Sequence, residues 1–91
     1  MSDVKKTLED RGEVYGDYYG GSKFRADVMN LINRRYKLLH GKPMDPLHAV
    51  YIYDIINKIS RLTVTPDHID TWHDIAGYAT LIEGALTDAK K

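Results

Sequence analysis

The sequence predicts an all-α fold, a small antiparallel helical bundle of three main helices preceded by a short N-terminal helix. Two observations carry that expectation. Apolar residues recur at helical spacing through 22–40, 46–62 and 66–86. Each of these runs opens on a capping residue, twice with proline directly after it, and short turns separate them.

Taken in order, Asp3 caps a short first helix carrying Val4 and Leu8, which Gly12 ends. Residues 11–21 are rich in glycine and tyrosine and are expected to form an irregular loop, since glycine provides backbone conformations other residues avoid. Ser22 is the expected N-cap of a helix through His40. Its inner face carries Phe24, Val28, Leu31, Ile32 and Leu39, and its solvated face Arg25, Asn33, Arg34 and Lys37. Gly41 stops that helix, and Asp45 caps the next with Pro46 at its first position. Tyr51, Ile52, Ile55, Ile56, Ile59 and Leu62 are expected to be buried on it. Thr65-Pro66 repeats the cap-then-proline signature and opens a last helix ending near Leu86, with a frayed tail after it.

Residues 1–91 carry no repeat, linker or low-complexity tract and read as one domain. A domain this small is only marginally stabilised by its own core, so a homo-oligomer is expected. Thirteen basic and thirteen acidic residues cancel, which argues against a general duplex-binding protein, because that needs a positive surplus. The absence of cysteine excludes disulfides, thiolate metal sites and cysteine nucleophiles. No apolar run approaches the roughly 20 residues that span a bilayer, and the N-terminus lacks the apolar core of a signal peptide. The expected location is the cytoplasm. His40, His48, His68 and His73 show no i, i+4 pairing, so a zinc site is not expected.

Charge lies where a small protein would place apolar side chains. Asp54, Lys58 and Arg61 share one stripe, as do Asp70, Asp74 and Tyr78. In an antiparallel pair, Arg61 faces Asp70, Lys58 faces Asp74 and Asp54 faces Tyr78. Such a seam is either an ion-pair clamp or a ligand site. As a site, Lys58 and Arg61 would grip phosphate, oriented by Asp70 and Asp74. Alternatively Asp54, Asp70 and Asp74 would hold a divalent ion through oxygen ligands. Gly77 lies mid-helix on the same side, at a cost of roughly 1 kcal/mol against alanine, so a helix or a ligand is expected to approach it. Tyr15, Asp17 and the glycines up to Gly21 offer backbone N–H groups to an anion and aromatic faces to a base. A packed turn is the plainer reading of the same residues.

Three elements carry a family resemblance: Arg11 with Tyr15-Gly16-Asp17, Lys58-Ile59-Ser60-Arg61-Leu62, and Asp70-Thr71-Trp72-His73-Asp74-Ile75-Ala76-Gly77-Tyr78-Ala79. Over roughly residues 7–83 the chain resembles a family of small bacteriophage-encoded proteins of unknown function. It is similar to phage nucleotide-modification-associated domains and, distantly, to MazG-type all-α nucleoside triphosphate pyrophosphatases. The Glu-x-x-Glu pairs that hold Mg²⁺ in those pyrophosphatases are absent here.

The resemblance implies a nucleotide-related role in a host cytoplasm. The leading expectation is a nucleotide-binding protein without catalysis, gripping a nucleotide or other phosphorylated small molecule, such as a defence signal, through Arg11, Tyr15, Asp17, Lys58, Arg61, Asp70, Asp74 and Tyr78. The alternatives are a Mg²⁺-dependent nucleotide hydrolase with Asp54, Asp70 and Asp74 as ligands, and a structural or host-inhibitory interaction module.

Overall fold

Capping chemistry decides where the helices start and stop. The computed structural model describes residues 17–90, in which α1 is Tyr18–His40, α2 is Pro46–Leu62 and α3 is Ile69–Ala89. No strand occurs among the described residues. The short leading helix expected from Asp3, together with Arg11 and Tyr15, lies outside them.

The first helix begins earlier than its expected cap, Ser22. Asp17, in extended conformation, is the N-cap, and its carboxylate accepts from the Gly20 backbone N–H. Residues 18–21 are therefore a helical turn and not a loop. Gly20 has a steric reason there, while Gly21 meets the end of a flexible side chain closely and Ser60 at ordinary contact distance. A Cβ on Gly20 would lie 2.7 Å from Asp17 Oδ2, and one on Gly21 would lie 3.2 Å from Arg25 Nη1 and 3.4 Å from Ser60 Oγ. Glycine at position 20 thus clears space for the cap. Ser22 instead donates its hydroxyl to the Tyr18 carbonyl at 2.7 Å.

The next two boundaries agree with the sequence. Gly41, at φ 71°, ends α1 in the left-handed conformation and donates its N–H to the Lys37 carbonyl at 2.7 Å. Asp45 caps α2 by accepting from the Leu47 N–H at 2.8 Å, with Pro46 in the first turn.

Thr65-Pro66 does not open α3. The N–H groups of Val64 and Thr65 both donate to the Arg61 carbonyl, so this segment is committed to closing α2. Its successor starts at Ile69 with His68 as N-cap and runs past the expected end at Leu86, to Ala89. Trp72 Nε1 donates to the Pro66 carbonyl at 2.8 Å and folds the turn against the first turn of α3. Below it, the His68 Nδ1 and Thr71 Oγ1 atoms lie 2.8 Å apart, which satisfies the fully buried Thr71 hydroxyl.

The central element is α2, packed against α1 and α3. Ser60 and Tyr53 meet α1, the latter accepting from Arg25 Nε at 3.3 Å, while Lys58 meets α3. Ser60 and Lys58 are two residues apart, hence about 200° around the helix, so α1 and α3 flank α2 on opposite sides. The result is a three-helix layer. Arg25, expected in solvent, is half-buried at the α1–α2 contact.

A layer encloses little. Ile56 is the one buried apolar side chain among the described residues. Tyr51, Ile52, Ile55 and Leu62, expected to be buried, are half-buried, and Ile59 is 40% exposed. On α1, Leu31 and Leu39 are exposed too. The cause is geometric: a helix with one neighbour covers only part of an apolar stripe at least 100° wide.

The cap makes a counter-intuitive prediction. Asp17→Ala should cost about 1 kcal/mol, and Gly20→Ala alone should destabilise despite alanine's higher helix propensity. In the Asp17→Ala background, Gly20→Ala should instead stabilise by up to about 1 kcal/mol. Urea unfolding followed by far-ultraviolet circular dichroism measures all three.

Candidate functional site

Lys58 is 9% exposed, which is uncommon for lysine. It sits two positions from Ile56 and projects toward α3, where Nζ donates to Asp74 Oδ2 at 3.1 Å. The same ammonium lies 5.7 Å from the centroid of the Tyr78 ring, within range of a cation–π contact. The Asp74 side chain is 45% exposed, so the pair couples a buried cation to a carboxylate that still reaches water.

Lys58–Asp74 is thus formed as the antiparallel index sum predicts. The other two rungs are not. The exposed Lys23–Asp27 pair lies on α1, and no ion pair joins Arg61 to Asp70. No hydrogen bond links Asp54 to Tyr78 among the described residues. Asp54 and Arg61 are half-buried, and Asp70 is exposed.

Beside the pair, on one flank of the α2–α3 seam, is a cleft of about 400 Å³ lined by Lys58, His73, Asp74, Gly77, Tyr78 and Leu81. A Cβ built on Gly77 would meet nothing within 4 Å. The close approach that this glycine suggests is therefore not made by another helix among the described residues. It opens onto the cleft.

Several candidate residues are elsewhere. Asp17 caps α1 and lines a different, smaller cavity with Gly20, Gly21, Ser60 and Thr63. Tyr18 and Tyr19 are 75% and 84% exposed on the first turn of α1, edge to face at 5.7 Å. Among the described residues, Tyr78 is the aromatic candidate at the cleft.

The described residues do not bring the divalent-ion arrangement together. Among the described residues, no three His, Asp or Glu side chains gather closely enough to hold an ion. Asp54 and Asp70 lie on opposite sides of the Lys58–Asp74 rung, each about one helical turn away. At 1.5 Å per residue this separates them by roughly 12 Å along the seam, and an ammonium occupies the middle. Asp54, Asp70 and Asp74 do not fit Mg²⁺, and no step through a metal follows from them.

The sequence reading left His73 out of the seam, and it placed Leu81 on the Asp70–Asp74–Tyr78 stripe without assigning it to the site. Their signal was present: His73, Gly77 and Leu81 follow one another at i, i+4, i+8 on a single flank of α3. Compared with known protein families, curated proteins and solved structures, the chain matches none.

The unequal burial of the pair predicts unequal mutants. Asp74→Ala strands a buried ammonium and should cost about 3–5 kcal/mol. Lys58→Met leaves a carboxylate that water can solvate and should fall within about 1 kcal/mol of wild type. Gly77→Ala, placed in open space, should stabilise by about 0.5–1 kcal/mol. Chemical denaturation of the three variants gives each value.

Proposed function

We propose that the protein is a non-catalytic binder of a small phosphorylated ligand, of the nucleotide class, held in the cleft on the α2–α3 seam. The observation that carries this reading is the open side of Gly77 next to the Lys58 ammonium. Glycine mid-helix is unfavourable, nothing among the described residues uses the space it leaves, and a cation and an aromatic ring form the adjoining wall. The cleft is within the size range of small-molecule sites, about 300–1,000 Å³.

Each group has a role. The ammonium has three N–H donors, of which Asp74 takes one, so Lys58 can bridge Asp74 and a phosphate oxygen. Asp74 holds Lys58 in place. Arg61, nearly one turn along α2, extends the cationic stripe toward further phosphate oxygens. Tyr78 and Leu81 give the ligand's base an apolar wall on which to stack. The motif resemblance to phage nucleotide-associated proteins is consistent with this class of ligand. No residue is assigned to catalysis.

Charge sets the expected strength. Asp54, Asp70 and Asp74 outnumber Lys58 and Arg61 on the seam, so the carboxylates oppose an incoming anion. Neutralising the exposed one, Asp70→Asn, should tighten binding several-fold, with the largest gain at low salt.

Isothermal titration against nucleoside mono-, di- and triphosphates and cyclic nucleotides tests the proposal. The expected result is saturable binding that Lys58→Met and Gly77→Leu abolish and Asp70→Asn strengthens. Absence of heat with the whole panel would end it.

A second reading is favoured by one fact: the Lys58–Asp74 pair is already satisfied without a ligand. The seam then acts as a clamp that sets helix register within a structural or interaction module. The double variant Lys58→Met with Asp74→Leu separates the two. It should fold at least as well as wild type in both cases, and lose nucleotide only if the cleft is a site.

A further inference from the structure

The flank of the seam opposite the cleft carries a second feature. Ile52, Ile55, Ile59 and Leu62 on α2 are spaced i, i+3, i+7, i+10. Trp72, Ile75, Ala79, Ile82 and Leu86 on α3 continue the same alternation of three and four. That is the a/d pattern by which helices pack into coiled coils and four-helix bundles. Both stripes border one groove, whose two cavities share Ile55 and measure about 550 and 460 Å³. Among the described residues the groove is open: Ile59 is 40% exposed and Trp72 is 52% exposed.

No helix among the described residues fills it. The first helix is on the far side of α2, where Ser60 and Tyr53 meet it. A four-helix bundle draws its core from four a/d stripes, and this protomer supplies two side by side.

We propose that a second copy of the chain supplies the other two, so that α2 and α3 of both protomers form a two-fold symmetric four-helix bundle. The occupant is self-complementary, as an isologous contact requires: each protomer offers the same paired stripes. Glu83 and Lys90, at the α3 end of the groove, provide a charged rim around an apolar centre. Trp72 is of the residue type that anchors such contacts.

This interface is independent of the nucleotide reading. Gly77 and Ala79 are about 200° apart on α3, so cleft and groove open on opposite flanks.

Sedimentation velocity of the full chain over a wide concentration range is the test. The expected species is a dimer, twice the 10.4 kDa chain mass, which Ile59→Glu converts to monomer while its helical circular dichroism persists. Because the chain has no cysteine, Ile59→Cys gives a separate readout that does not rely on the glutamate variant folding. Mild oxidation should link it into a covalent dimer at least ten-fold faster than Lys37→Cys on α1. A wild-type monomer at every concentration would overturn the proposal, since some other segment or partner would then own the groove. So would a dimer unaffected by Ile59→Glu, or equal crosslinking of the two cysteine variants.

Discussion

A buried ammonium on the central helix constrains everything around it. Lys58 cannot leave water without a counter-charge, because an isolated buried charge costs several kcal/mol. Asp74 is where that charge is found, 3.1 Å away. Once the two meet, the register of α3 along α2 is set, and so is its rotation. Asp54 and Asp70 are held apart, Gly77 is turned to one flank of the seam and the Trp72–Leu86 stripe to the other. In net energy such a pair contributes little, since desolvation offsets most of the attraction. Its consequence is alignment.

The second constraint is that α2 serves two neighbours. With α1 on one side and α3 on the other, the chain forms a layer, and a layer has two open faces in place of one enclosed core. That is why a sequence with 43% hydrophobic residues leaves Ile56 as its only fully enclosed apolar side chain among those described. The open faces differ in chemistry. One flank of the α2–α3 seam presents Lys58, His73, Gly77 and Tyr78, suited to a polar ligand. The opposite flank presents branched aliphatic residues and Trp72, suited to another helical surface.

Much of this was legible before any coordinates. Gly41 and the Asp45-Pro46 step mark real boundaries because their chemistry is local: a left-handed residue must end a helix, and a capping carboxylate followed by proline opens one. The Lys58–Asp74 contact followed from spacing alone. Other local signals misled. Ser22 resembles a cap as much as Asp17 does, and paired glycines normally argue against helix, but only three dimensions show the space that Gly20 leaves for the cap. Thr65-Pro66 carries a helix-start signature, yet its backbone is used up in ending α2.

What the amino-acid sequence determined by itself is therefore the set of elements and one contact between them: three helices, two of their turns, and an ion pair at a predictable index sum. These depend on residues near one another in the chain or on simple helical periodicity. Only the tertiary structure decided that α1 and α3 lie on opposite sides of α2, that three aspartates on one seam do not converge, and which apolar stripes stay uncovered. Periodicity says which residues share a face, but burial depends on whether another element occupies the space opposite, and no local pattern records that.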